Sequence, residues 1–177
     1  LPGTLTLPNG AGPFAAVVLV QGSGQADQDD TIGPNKPFKD LAWGLASAGV
    51  AVLRYEKRTK KYGAASAPAG RPLTVNDETV DDARAAVALA AQQKEIDPQR
   101  VYLLGHSLGG YLAPRIASGD RKIAGIILLA GSARGLADVI VEQLRYLATV
   151  APEEGGVTAA TVAAAEAAAK QVHSPAL

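Results

Sequence analysis

A Gly-x-Ser-x-Gly pentapeptide between an apolar run and a helical segment constrains the fold of this chain more than any other feature. The apolar run spans residues 101–104, and the pentapeptide follows it at residues 105–109. This order predicts a buried strand, a sharp turn and a helix, with Ser107 in a strained conformation at the tip of the turn. Glycines at both ends allow strand and helix to pass close together, because a Cβ there would collide. We therefore predict that the Ser107 hydroxyl faces solvent beside the first N–H groups of the helix.

The pentapeptide by itself is compatible with two other origins. It can occur by chance in a chain that has 19 glycines, and a Gly-rich turn before a helix can also hold a phosphate. However, the residues lack the Gly-Lys-Ser/Thr ending of a P-loop and the Gly-x-Gly-x-x-Gly spacing of a dinucleotide site. The flanking strand and helix favour a serine nucleophile.

The charge and composition of the chain argue against several classes of function. The formal net charge is zero, and no basic stripe interleaved with aromatic residues is present, so we expect no nucleic-acid partner. The one basic run, residues 57–61, is predicted to be a solvated loop. No apolar stretch approaches the ~20 residues that cross a bilayer, so we expect no membrane span. The absence of Cys excludes thiolate metal sites, and no His, Asp or Glu has ligand spacing, so we expect no metal and no organic cofactor.

Apolar runs and helical spacings alternate along the chain. Strands are predicted at residues 3–7, 15–20, 50–53, 101–104 and 123–129. Helices are predicted at residues 38–48, at residues 75–94 with Thr74 as N-cap, and after Ser107, with a long loop at residues 56–73. This alternation predicts an α/β fold, a mostly parallel sheet with helices on both faces. Functional residues are expected at the carboxyl ends of its strands.

Longer stretches around these elements resemble a known family. They are Gln21-Gly22-Ser23-Gly24, residues 27–42 with Gly33-Pro34-Asn35-Lys36-Pro37-Phe38, residues 52–59 and residues 103–110. Up to about residue 150 the chain resembles a bacterial carboxylesterase branch of the α/β-hydrolase superfamily, related to dienelactone hydrolases and prolyl-oligopeptidase-type domains. The resemblance implies that Ser107 is a nucleophile that forms an acyl-enzyme with a small acyl ester.

The resemblance also implies where a reacting carbonyl oxygen would be held. In this fold one N–H donor follows the nucleophile and another belongs to the loop after an earlier strand. Here these are the N–H groups of Leu108 and Ser23, which form the predicted oxyanion hole. The Gly-Ser-Gly sequence around Ser23 is also that of a simple flexible loop, so its position in the fold carries this prediction.

Two residues depart from the family pattern near this loop. Family members usually have His at the position of Gln21, and a basic residue is common at the position of Gln28. We expect the first change to alter hydrogen bonding in the oxyanion loop. We expect the second to alter how the neighbouring acidic loop is held. Neither change touches the nucleophile.

Residues 132–177 contain no segment that resembles a buried strand. Residues 136–147 and 157–171 have helical spacing, the second with Thr158 as its N-cap, and a Pro-Glu-Glu-Gly-Gly break separates them. Helices inserted at this place resemble the lid of the superfamily. We therefore predict a partial hydrolase core at residues 1–131 and a helical lid or cap segment at residues 132–177.

The base and acid of a serine hydrolase are not assigned within this chain. A serine hydroxyl needs an imidazole that a carboxylate orients, and the superfamily supplies them in the order Ser, acid, His. Of the two histidines, His106 is predicted to be a packing residue directed away from Ser107, and His173 to mark the exit from the lid. No catalytic role is assigned to the available acids, which are Asp120, Asp138, Glu142, Glu153 and Glu154. We expect the base and the acid beyond Leu177, in a longer polypeptide.

A sheet that ends with the strand at residues 123–129 would present an unprotected edge. We expect a missing C-terminal part or a second chain to cover it. The predicted function is a carboxylesterase with a small-molecule ester as its substrate. Two alternatives stay open, a peptidase or acyltransferase of the same fold and a non-catalytic module that keeps the turn as an architectural relic.

Overall fold

The computed structural model of the chain describes residues 1–150 and 157–173. The described strands are β1 (Gly3–Thr6), β2 (Phe14–Val20), β3 (Val50–Tyr55), β4 (Ile96–His106) and β5 (Gly125–Leu129). The described α-helices are α1 (Pro37–Ser47), α2 (Arg58–Tyr62), α3 (Asp81–Ala91), α4 (Leu108–Ala117), α5 (Leu136–Val150) and α6 (Ala159–His173). A 3-10 turn (Gly63–Ser66) follows α2, and a π-helical turn (Asn76–Val80) precedes α3.

The strands form one sheet in the order β1-β3-β2-β4-β5. Strand β1 is antiparallel to β3, and all other neighbours are parallel. The predicted α/β fold with a mostly parallel sheet is therefore confirmed. Val20 near the end of β2 lies opposite Gly105 near the end of β4. Because parallel strands end at the same edge, the loops after β2 and β4 leave the sheet side by side.

Strands β2 and β4 form the buried centre of the sheet. Residues 16–20 of β2 are at most 4% exposed, and Val101 and Leu103 of β4 are fully buried. Phe38 and Ala42 of α1 pack against one face of the sheet. A central parallel strand is covered on both sides, which explains why these segments are continuous apolar runs rather than alternating ones.

The bounds of β4 and β5 differ from the predicted ones. Strand β4 begins at Ile96 rather than at residue 101, because Ile96 is buried and pairs with Phe14 ahead of an irregularity in the register. The polar residues 97–100 interrupt the apolar pattern there and hide the first part of the strand. Strand β5 begins later than predicted because the N–H of Ile123 donates to the carbonyl of Asp120 (3.2 Å) in a turn.

The prediction that residues 57–61 form a solvated loop is wrong for the backbone and for Lys57, whereas Lys60 and Lys61 are exposed as expected. Helix α2 begins at Arg58, and the Lys57 side chain is buried. Acidic side chains from the next helical segment compensate both cations. Glu78 lies 3.6 Å from Lys57 Nζ, and Asp82 accepts two hydrogen bonds from Arg58, at 2.6 and 2.7 Å. A single sequence shows the basic run but not the carboxylates that meet it.

The helix predicted at residues 75–94 has a capping contact at the expected place. The N–H of Asp77 donates to Thr74 Oγ1 (3.4 Å), and the N–H of Thr74 donates to Asp77 Oδ2 (3.0 Å). Arg71 donates two further hydrogen bonds to Asp77, and these bonds with those from Thr74 hold the pKa of Asp77 far below its usual range. The first turn is π-helical, and the α-helical part ends at Ala91.

Contacts divide the chain into two compact units, Leu1–Gly131 and Ser132–Leu177. Within the second unit, Arg145 of α5 donates to Glu166 of α6 at 2.6 Å, and the N–H of Thr161 donates to the capping Oγ1 of Thr158 at 3.1 Å. Glu153, Glu154 and the side chain of His173 lie outside the described residues.

Among the helices that are described, none has the length and apolar character needed to cross a membrane.

Candidate active site

Ser107 occupies a strained turn between β4 and α4. Its backbone φ is 51° and ψ is −113°. Residues other than glycine rarely adopt this conformation, which costs about 1–3 kcal/mol. The Ser107 N–H donates to the carbonyl of Leu129 at the end of β5, and its carbonyl accepts from the N–H of Tyr111, both at 2.8 Å. These two bonds hold the serine at the carboxyl edge of the sheet. The strand, turn and helix therefore lie where the pentapeptide predicts them.

Two glycines of the pentapeptide allow this turn to form. A Cβ at Gly105 would lie 2.2 Å from the carbonyl oxygen of Gly109, and a Cβ at Gly109 would lie 2.3 Å from that of Val20. Both distances are far below contact, and both obstacles are backbone atoms. Strand β4, helix α4 and the end of β2 therefore approach each other in a way that any larger residue would prevent.

The loop after β2 lies directly against the serine. A Cβ built on Gly22 would be 3.3 Å from the Ser107 Cβ. Ser23 and Ser107 line the same open cleft of about 250 Å³, whose other lining residues are Gly22, Gln25, Ala26, Asp30, Thr31, Ile32 and His106. Leu108 begins α4 and is buried. The structure thus brings Ser23 and Leu108 together around Ser107.

A larger cavity of about 480 Å³, lined by residues of β1, β3 and α3, does not include Ser107.

His106 has a polar partner that the sequence does not reveal. Its Nδ1 atom lies 2.7 Å from Oδ2 of Asp30, which is buried and has a positive φ of 51°. Phe38 meets the imidazole edge-on, with ring centroids 6.4 Å apart. His106 thus packs against Phe38 and forms an acid–imidazole pair with Asp30. It lines the same cleft as Ser107, which the prediction of a packing residue directed away from Ser107 did not anticipate. The only sequence signal for Asp30 is its place in the acidic run at residues 27–30.

Asp27 organises the acidic loop that carries Asp30. Its carboxylate accepts the N–H groups of Asp29 (3.1 Å) and Thr31 (3.0 Å) and the hydroxyl of Thr31 (2.7 Å). Partial burial raises the pKa of Asp27, but these hydrogen bonds outweigh it, so the pKa lies below the usual 3.8. Asp29 forms ion pairs with Arg54 of β3 and with Lys36. The loop is therefore fixed from both sides.

Gln21 and Gln28, which depart from the family pattern, both contribute hydrogen bonds to this region. The buried Gln21 amide donates to the carbonyl of Tyr55 and, at 3.4 Å, to that of Asp27. Gln28 accepts from the hydroxyl of Thr4 at 2.9 Å. Gln21 thus links the loop after β2 to the end of β3 and to the acidic loop.

Lys57 lies under the same loop and is 2% exposed. Its ammonium donates to the carbonyl oxygen of Gly22 at 2.7 Å. Burial lowers the pKa of Lys57, and the carboxylates of Glu78 and Asp30 oppose that shift. Sequence reasoning missed this residue because a lysine in a basic run is normally solvated.

Among residues 1–150 and 157–172, no imidazole hydrogen-bonds to the Ser107 hydroxyl, and the one histidine in this range, His106, pairs with Asp30. Asp120 lies in the turn before β5, at the opposite edge of the sheet, 3.9 Å from Lys122. Glu142 pairs with Arg134, and Asp138 lies in the first turn of α5. Over the same residues, no three His, Asp or Glu side chains are grouped so as to hold a metal ion.

Comparisons with known proteins agree with this architecture. The chain is 50% identical to esterase EstD of Thermotoga maritima over 149 residues, which are 83% of this chain and 34% of that protein. It therefore spans about a third of the length of this curated relative. Two solved structures share the fold at 18% identity: a 2,6-dihydroxy-pseudo-oxynicotine hydrolase (TM-score 0.56, 94% of this chain and 42% of the other) and the hydrolase GrgF of a Penicillium species (TM-score 0.54, 99% and 63%).

The family resemblance seen in the motifs is confirmed by a match over most of the chain. Residues 17–176 match the alpha/beta hydrolase family. The strained serine turn and the glycines that allow it lie within this matched range. This chain belongs to the alpha/beta hydrolase family.

Proposed function

We propose that the protein is a carboxylesterase acting on small acyl esters and that Ser107 is its nucleophile. The observation that carries this proposal is the strained backbone of Ser107 at the carboxyl edge of the sheet, in a cleft that Ser23 also lines. Backbone strain of this kind persists where the surrounding structure enforces it, and such places are commonly functional. The 50% identity to a protein named as an esterase supports an ester as the substrate.

In the proposed reaction, Ser107 Oγ attacks the carbonyl carbon of the ester. Its proton passes to an imidazole base, and the carbonyl oxygen becomes an oxyanion that accepts hydrogen bonds from the N–H groups of Ser23 and Leu108. The tetrahedral intermediate collapses, the C–O bond to the alcohol breaks, and the alkoxide takes the proton from the imidazolium. Water then attacks the acyl-enzyme in the same way and releases the carboxylic acid.

The imidazole and its orienting carboxylate are proposed to come from outside residues 1–177. Within the described part of the chain, the one histidine whose side chain is described is His106, and its Nδ1 atom is engaged by Asp30. The helical segment at residues 132–177 is proposed to serve as the lid of the same enzyme. Its Ala, Val and Leu content favours an acyl chain or an aromatic group as part of the substrate.

Ser107→Ala in the full-length protein tests the nucleophile. We expect hydrolysis of p-nitrophenyl acetate and butyrate to fall by roughly 10⁴-fold or more, with an unchanged circular dichroism spectrum. Ser118→Ala is the matched control, because Ser118 is an exposed serine at the other end of α4. We also expect a fluorophosphonate to label Ser107 stoichiometrically in the wild-type protein.

The same assays separate the alternatives. Cleavage of an aminoacyl amide by the wild-type protein would indicate a peptidase. Transfer of the acyl group to an added alcohol in preference to water would indicate an acyltransferase. Absence of both labelling and turnover would contradict the proposal and indicate a non-catalytic module. Full ester turnover by Ser107→Ala would show that the nucleophile lies elsewhere.

A further inference from the structure

A buried ammonium contacts the loop that carries one of the proposed oxyanion donors. Lys57 Nζ donates to the Gly22 carbonyl at 2.7 Å, and the lysine is 2% exposed. Gly22 and Ser23 line the cleft with Ser107, whereas Lys57 does not. The ammonium therefore approaches the Gly22 carbonyl from the interior, on the side of the loop away from the cleft.

The position of the Gly22 carbonyl determines the direction of the next N–H group. The peptide bond between Gly22 and Ser23 is trans, and a trans peptide is planar, so its C=O and N–H groups point in opposite directions. A carbonyl held toward the interior by Lys57 therefore directs the Ser23 N–H toward the cleft. Rotation of this peptide would turn the N–H away from the reacting ester, and a loop that contains Gly22 and Gly24 has the freedom to rotate.

Burial of this lysine is not explained by packing alone. Removing an ammonium from water is unfavourable unless it is paired and hydrogen-bonded. Glu78 supplies the opposite charge at 3.6 Å and is itself held by the hydroxyl of Thr59 at 2.7 Å. An apolar side chain would fill the same space without that penalty. The ammonium holds the Gly22 carbonyl. A peptide whose carbonyl is bound by a cation is polarised and is a stronger N–H donor.

We propose that Lys57 is a positioning residue for ester hydrolysis, which acts through the Gly22 carbonyl to orient and strengthen the Ser23 N–H toward the oxyanion. This inference rests on the proposed esterase function of Ser107. Lys57 does not touch the substrate, so its loss should affect the transition state more than the bound ester.

The test compares Lys57→Met with the control Lys60→Met in the full-length protein. Lys60 is an exposed lysine on α2. With p-nitrophenyl acetate, we expect Lys57→Met to lower kcat about 10- to 100-fold, which does not exceed the effect of removing an entire oxyanion donor. We expect KM to change by less than about threefold. A trifluoromethyl ketone that forms an oxyanion with Ser107 should bind more weakly by the same factor as kcat/KM falls. Lys60→Met should behave as the wild type in every measurement.

A second variant, Lys57→Met with Glu78→Gln, removes both charges, so no unpaired carboxylate is left to unfold the protein. It should show the same loss in kcat as Lys57→Met and a circular dichroism spectrum like that of the wild type. If this double variant has the kcat of the wild type, or if only its KM is changed, the proposed role of Lys57 is overturned. A wild-type protein that does not hydrolyse esters through Ser107 would instead overturn the proposed function, so the two failures are distinguishable.

Discussion

The charged contacts beneath the cleft differ from those between the helices of the second unit. Around the cleft, Arg54 and Lys57 are nearly inaccessible to solvent, and each meets a carboxylate from another element. In the second unit, the side chains of Arg145 and Glu166 are 63% and 35% exposed. Exposed pairs typically contribute at most about 1 kcal/mol, whereas removing one partner of a buried pair leaves a desolvated charge. The buried contacts can therefore position the backbone of the loops, which the exposed pair cannot do.

The largest difference in the free energy of unfolding is expected between two variants that each break one ion pair, one pair in each region. Arg54→Met leaves Asp29 with only the exposed Lys36 as its cationic partner, so we expect a loss of about 2–3 kcal/mol in the free energy of unfolding. Arg145→Met, the matched change in the second unit, should cost less than about 1 kcal/mol. Urea denaturation of the full-length variants, followed by circular dichroism, measures both. Equal losses would remove the distinction between the two regions.

A smaller effect is expected from the amide groups that donate to backbone carbonyls. Gln21→Leu removes the donor to Tyr55 and Asp27 from a fully buried position, so we expect a loss of about 1–2 kcal/mol. Gln93→Leu is the control, because the Gln93 amide also donates to a carbonyl, that of Leu89 at 2.9 Å, but this bond is exposed to solvent and Gln93 is only partly buried. In the same denaturation assay, Gln93→Leu should lower the free energy of unfolding by no more than about 0.5 kcal/mol. A Gln21 variant as stable as the Gln93 variant would show that burial adds nothing to this contact.

The smallest effect on the free energy of unfolding is expected from protonation of Asp27 at low pH. Because its pKa is lower in the folded protein than the usual 3.8, the carboxylate stabilises the fold above that pH, and this contribution is lost as the pH falls through the lower value. Asp27→Asn should therefore be less stable than the wild type at pH 6, by less than about 1 kcal/mol because Asp27 is only partly buried, and the difference should shrink below pH ~4. Urea denaturation between pH 3 and pH 7 measures this. A difference that stays constant with pH would contradict it.

The fold could be predicted to a large extent from the sequence, because its signals are local. The apolar runs of β2, β3 and β4 and the glycines around Ser107 each have a physical cause within a few neighbouring residues. Thr158 is a further example, since its capping hydroxyl acts on a residue three positions away. Irregular segments were predicted less well, since polar residues 97–100 conceal the beginning of β4.

The candidate site could be predicted only in part. Motif and topology single out Ser107, Ser23 and Leu108. In the structure Ser23 and Ser107 line one cleft and Leu108 begins α4 directly after Ser107, while their catalytic roles stay predictions. The Asp30–His106 pair joins residues 76 positions apart, and the bond from Lys57 to Gly22 joins residues 35 positions apart. No local pattern marks either contact.

The sequence by itself therefore determined the alternation of strands and helices, the strained serine turn and the order of the loops at the carboxyl edge of the sheet. These features depend on steric limits and apolar periodicity, which act over a few residues. Only the tertiary structure decided which charges are buried. Whether Lys57 is solvated or lies beneath Gly22 depends on where Glu78 and Asp30 are placed, because an ammonium leaves water only where distant carboxylates and carbonyls replace its hydration.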